Sequence, residues 1–185
     1  MKYLIFSLLG LALFLNFKEK PLKFGSILGT VNNVIAYSSY GKINNTNNYH
    51  NNIYTGLQWQ CVEFVRRYIQ ITKNITFKQV NNAYEIFDLN SFNSLSGNII
   101  PIKKYRNNSI IPPIKGALLI WKKELNITGH VAIITKVTKS YIEIAEQNWN
   151  NFSWDDNNYS RRLPVTYKDN IFSIKDNNIL GWINY

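Results

Sequence analysis

The chain has 185 residues, 45% of them hydrophobic and 15% aromatic, with a formal net charge of +10. That length suits one domain with a single core, and the apolar content excludes a disordered chain. One cysteine, Cys61, excludes a disulfide-stapled scaffold, and two histidines, His50 and His130, are too few without a second thiol to make a structural metal set, so neither metal nor cofactor is expected.

Residues 3–17 form an apolar run with Lys2 before it and Lys18, Lys20 and Lys23 after it, the pattern of a signal-peptide core or a short membrane anchor. The run is shorter than the roughly 20 residues a spanning helix requires. Residues 1–24 are therefore assigned as a leader and 25–185 as the folded domain, with a secreted or membrane-anchored location and membrane association through residues 3–17. Six Asn-x-Ser/Thr sequons, at Asn44, Asn74, Asn107, Asn126, Asn151 and Asn158, fit a secretory route, although Asn is common enough here that about half of them are expected by chance. The lysines are scattered rather than gathered into a stripe, and no nucleic-acid signature accompanies the charge, so no nucleic-acid partner is expected.

The polar, Asn-rich stretch 42–52 reads as a surface loop. Over residues 57–71 the apolar positions Val62, Val65, Tyr68, Ile69 and Ile71 recur at helical spacing, with Glu63, Arg66, Arg67 and Gln70 largely on other faces. Cys61 then stands at a helix start. A second short helix is predicted over 82–89, capped by Asn81 or Asn82. After Pro112 and Pro113, the runs 116–121, 130–137 and 141–147 read as strands of one sheet, joined by 171–174 and 179–183. Helices first and an antiparallel sheet afterwards make the fold class α+β.

A thiol at a helix N-terminus meets unpaired backbone N–H groups and the positive end of the helix dipole, which favour the thiolate, the form that acts as a nucleophile. The N–H of Cys61 and the side-chain amide of Gln60 are candidate oxyanion donors. If residues 137–139 form the hairpin loop, Lys136 faces Ser140, and counting outward sets His130 directly opposite Glu146. The carboxylate would then orient the ring, whose other nitrogen takes the proton of Cys61. A single residue's change in loop length would move Glu146 out of line. Taken alone, each residue has a plainer reading: Cys61 as a buried hydrophobe, His130 as a turn residue, Glu146 as a solvated strand-end charge.

Trp59-Gln60-Cys61-Val62-Glu63-Phe64 with Arg66-Arg67, Ala83-Tyr84-Glu85-Ile86-Phe87, Gly116-Ala117-Leu118-Leu119-Ile120-Trp121, Thr128-Gly129-His130-Val131-Ala132-Ile133-Ile134, Ile144-Ala145-Glu146-Gln147-Asn148 and Ile179-Leu180-Gly181-Trp182 follow one another in an order that resembles the CHAP-type amidases. The likeness is greatest to the amidase half of glutathionylspermidine synthetase/amidase and its trypanothione relatives. With residues 25–40 it covers nearly everything after the leader. The resemblance implies a papain-like fold, a triad at Cys61, His130 and Glu146, and substrate contacts from Arg66 and Asn148. It also implies a thiol-dependent amidase acting on a small glutathione-polyamine conjugate or a peptide amide. No synthetase half is present in this sequence, and a leader stands where the relatives begin directly. A secreted peptidoglycan amidase or endopeptidase, or a membrane-tethered binding protein without turnover, remain the rival readings.

Overall fold

The structure is a computed structural model that describes residues 20–42, 45–123, 127–156 and 158–185. The apolar run 3–17 and the sequons at Asn44 and Asn126 lie outside the described residues. Within them, no helix is long and apolar enough to cross a membrane. Leu22, inside the span assigned to the leader, packs against the core and donates its N–H to Asn151 O at 2.9 Å.

Two hairpins come first, β1 (Ile27–Val31) with β2 (Val34–Tyr37) and β3 (Asn47–His50) with β4 (Ile53–Leu57). Helix α1 (Cys61–Lys73) follows, then the small sheet of β5 (Ile75–Thr76), β6 (Ser91–Ser94) and β7 (Ile99–Pro101), with a 3₁₀ helix over Ala83–Asp88 inserted after β5. The remaining strands are β8 (Lys103–Arg106), β9 (Leu118–Trp121), β10 (His130–Val137), β11 (Tyr141–Ala145), β12 (Arg161–Lys168), β13 (Ile171–Ile174) and β14 (Ile179–Asn184). They form one antiparallel sheet in the order β13-β12-β11-β10-β9-β14-β8.

This corrects the expected balance of elements. The domain is mostly β, with one α-helix and one 3₁₀ helix among the described residues, so packed N-terminal helices in the papain manner are only loosely matched. The predicted second helix tightens to six residues closed by Leu89 N–H to Ile86 O, a length too short for an α-helix to gain from cooperative bonding. The supposed loop at 42–52 contains β3 and the turn into β4.

Asparagine explains much of this. Asn32-Asn33, Asn51-Asn52 and Asp169-Asn170 all have positive φ at both positions, and each pair joins two antiparallel strands in a two-residue hairpin. Such turns match the right-handed strand twist but require left-handed residues, which Asn and Asp tolerate best after glycine. Asn74, also left-handed, ends α1 and returns its N–H to Gln70 O.

The sheet separates two apolar clusters. On one face Phe64, Val65, Tyr68 and Ile69 of α1 pack with Val131 and Ile133 of β10; on the other Trp121, Ala132, Ile134, Ile144 and Trp182 meet. Burying each large side chain contributes about 1.5–3 kcal/mol, so α1 is held to the sheet far more strongly than helix propensity alone would provide. Glycine permits the close approach of β4 to α1, since a Cβ on Gly56 would sit 2.9 Å from Glu63 Cα.

Candidate active site

Cys61 is the first residue of α1, preceded by Gln60 in extended conformation and by Trp59 at φ 62°. As an opening helical residue it has no intrahelical acceptor for its N–H. Its side chain is largely buried, yet it borders a cavity of about 440 Å³ that Gln60, Arg66, Thr128, His130 and Asn148 also line. A cavity of that size suits a small ligand.

His130 begins β10, immediately after Gly129. At φ +64°, with an added Cβ only 2.8 Å from Trp121 O, that position admits little but glycine. Strand alternation puts His130 on the face of Ala132 and Ile134, and it pairs with Trp121 of β9. Cys61 belongs to the opposite cluster, and the two residues meet as lining of the same cavity.

The expected register differs in detail. The hairpin pairs Val137 with Ile142 and Lys136 with Glu143, and a bulge then shifts it to Ile134 with Ile144 and Ile133 with Ala145. His130 and Glu146 are thus not directly opposed; continued outward, the ladder would place Glu146 against Ala132. The offset is two residues, so both side chains stay on one face as diagonal neighbours. His130 Nε2 lies 2.9 Å from Glu146 Oε2, which leaves Nδ1 as the ring nitrogen that Glu146 does not engage.

Both groups are fully enclosed. Burial is the largest single influence on His130 and favours the neutral ring. The charges and hydrogen bonds of Cys61 and Glu146 together outweigh it and hold the imidazole up to about 9. Burial likewise pushes Glu146 up, but His130 and Arg161 overcome it and bring the carboxyl down to about 2.

The other predicted residues are bound into the scaffold. Gln60 Oε1 accepts from Asn148 Nδ2 at 2.6 Å, which turns the Gln60 amide nitrogen away from Asn148. Asn148, at φ 58°, also accepts from Ser39 Oγ. Arg66 is buried rather than solvated. Its guanidinium donates to Thr55 O at 2.8 Å and Lys78 O at 3.3 Å and lies 4.3 Å over the Phe77 ring. Burial, opposed by Tyr54 and Glu63, lowers it to about 10, so it remains cationic at neutral pH. Among the described residues no group of His, Cys, Asp or Glu converges to hold a metal ion.

Several contributors escaped the sequence reading. Arg161 Nε donates to Glu146 Oε1 at 2.6 Å, and Ser160 Oγ reaches the same oxygen at 3.0 Å. Trp121 and Trp149 each place their rings 5.1 Å from that of His130. Gln147 donates to Gln60 O at 3.2 Å and Glu63 Oε2 at 3.0 Å, and accepts from Tyr37 N–H. Behind Cys61, Glu63 is fully buried and paired with Arg67 at 2.6 Å. The i,i+4 spacing of Glu63 and Arg67 was the available signal; for Arg161 the signal required knowing that β12 lies beside β11.

Cys61 and His130 thus line one cavity, with Glu146 bound to the His130 ring. The chain belongs to the CHAP domain family, whose sequence model matches residues 50–148. It is 38% identical over 138 residues to the bifunctional glutathionylspermidine synthetase/amidase of Escherichia coli, covering 70% of this chain and 22% of that protein. With the trypanothione synthetase of Crithidia fasciculata it shares 33% identity over 143 residues, covering 72% of this chain and 22% of the relative. The chain spans about a fifth of the length of the curated relatives it matches.

Proposed function

We propose that the protein is a thiol-dependent amidase that hydrolyses a C–N bond through Cys61, His130 and Glu146. The observation that carries this reading is the enclosed His130 ring, held by Glu146 on one nitrogen and sharing the lining of the cavity with Cys61. The Cys61 thiolate attacks the amide carbon, and the carbonyl electrons move to oxygen, facing the Cys61 N–H and the Gln60 side-chain amide. Asn148 aims that amide by holding its oxygen. As the intermediate collapses, the C–N bond breaks and the imidazolium of His130 gives its proton to the leaving amine. Water then attacks the thioester while His130 takes its proton, releasing the acid and restoring the thiolate-imidazolium pair. Glu146 holds the ring in place and balances its charge.

The substrate we assign is a glutathione-polyamine conjugate such as glutathionylspermidine, supported by the named activity of the Escherichia coli relative. Arg66, cationic and lining the cavity, provides positive potential for the carboxylates of a glutathionyl group. Release of amine from glutathionylspermidine by the purified protein, abolished in Cys61→Ala, is the expected result. Undiminished turnover in Cys61→Ala overturns the mechanism; solubilisation of purified murein with no action on glutathionylspermidine overturns the substrate and favours a cell-wall amidase.

A further inference from the structure

We propose that Arg161 is a positioning residue that keeps Glu146 a fixed anion and, through it, sets the protonation of the His130 and Cys61 pair. The inference rests on the catalytic roles proposed above for those three residues. A carboxylate buried this completely keeps its charge only where donors and cations surround it, and His130 engages just one of its sides. Here the side of Glu146 away from His130 is filled: Arg161 Nε and Ser160 Oγ both donate to Oε1, and Arg161 Nη2 reaches Oε2 at 3.2 Å. The planar fork fits the carboxylate with two donors, the geometry in which a charge-assisted hydrogen bond is strongest. Arg161 stands opposite Ile144 in the β11–β12 ladder, so it approaches Glu146 diagonally from β12 as His130 does from β10.

A surface salt bridge would end there; this one does not. The Arg161 guanidinium lies 4.3 Å over Trp149 and 5.5 Å over Trp121, the two indoles that flank the His130 ring. One cation thus braces the carboxylate and both aromatic walls of the imidazole, and those walls exclude the water that would otherwise screen its charge. His130 faces Cys61 from α1, Glu146 from the end of β11, Trp121 from β9 and Trp149 from the loop beyond β11. The recorded partners of Glu146 are His130, Ser160 and Arg161, while the nearby Arg162 and Glu143 pair with each other.

Removing a cation raises the proton affinity of every group near it. Alkylation of Cys61 by iodoacetamide across pH reads this without a substrate. In Arg161→Gln the onset of alkylation should move upward by about one pH unit, and Arg161→Lys should recover most of the shift while lacking the fork. A profile in Arg161→Gln that superimposes on the wild type, with only the melting temperature lowered, reduces Arg161 to a structural residue and overturns the proposal. Should Arg161→Gln fail to fold, Trp149→Leu removes the platform of the cation at a residue that is 38% exposed, and there too an unmoved profile is decisive. His130→Ala separates the two failures. If it leaves the profile unchanged, the pairing of Cys61 with His130 is wrong; if it alters the profile while Arg161→Gln does not, only the role of Arg161 is wrong.

Discussion

His130 and Glu146 meet at 2.9 Å without being cross-strand partners, because a bulge between Ile134 and Lys136 and a wider loop together displace the hairpin by two residues from the simplest register. An even displacement preserves the face. Glu146→Gln keeps the shape of this contact and removes its charge, leaving an imidazolium unbalanced in a buried site. Turnover should fall by roughly 10²–10⁴-fold with little change in KM, the pattern of an interaction that matters most in the transition state. Steady-state kinetics of amine release would measure it, and a loss below threefold would show that the carboxylate is dispensable.

The pH dependence has a definite sign. His130 is raised from 6.5 to about 9, so the stability its charge contributes is fully present below 6.5 and is lost as pH rises through about 9. Glu146 is lowered from 4.5 to about 2, so its contribution is present above 4.5 and is lost as pH falls through about 2. Melting temperature should decline between pH 7 and 10, and the rate of amine release should fall on the same limb as the ring loses the proton that the leaving amine requires. In Glu146→Gln both declines should begin at lower pH; identical profiles would contradict the charge coupling.

Gly129→Ala tests the entry to β10. The left-handed backbone and the 2.8 Å approach of a Cβ to Trp121 O act together, and the carbonyl cannot retreat without disturbing the β9 pairing. Destabilisation of about 1–3 kcal/mol in urea unfolding is expected, with an activity loss beyond what the unfolded fraction explains, since His130 is the next residue.

Glu63 and Arg67 form a buried pair supported by Asn48, Gln147 and the Ile35 carbonyl. Either single change, Glu63→Leu or Arg67→Met, strands one buried charge and should cost about 3–5 kcal/mol. The double variant should cost less than the sum, and additive losses in denaturant melts would show that the pair is not coupled.

What sequence reading located best was the placement of residues tied to a strong local pattern. Cys61 at the first turn of α1 and the full extent of β10 follow from periodicity and from Gly129. Arg66, Arg67, Glu63 and Gln70 were placed off the apolar stripe, but all four are buried, because the β1–β2 and β3–β4 hairpins cover that face of the helix. Helical periodicity cannot see a lid made of strands outside the helix. β12 went unread because Pro164 and three basic residues interrupt a stretch whose buried apolar positions are Leu163 and Val165 alone. The sequon at Asn151 had a different fate: its side chain is buried and accepts from Ser39 N–H at 2.8 Å, which makes it part of the interior polar network.

Three consecutive residues beyond β11 serve three different clients: Glu146 the imidazole, Gln147 the backbone before α1 and the end of β2, and Asn148 the amide of Gln60. An odd change of length in the hairpin before this tripeptide, or any change within it, therefore breaks the arrangement. One residue inserted before it would rotate all three side chains at once, disconnecting α1 from the strand that carries His130.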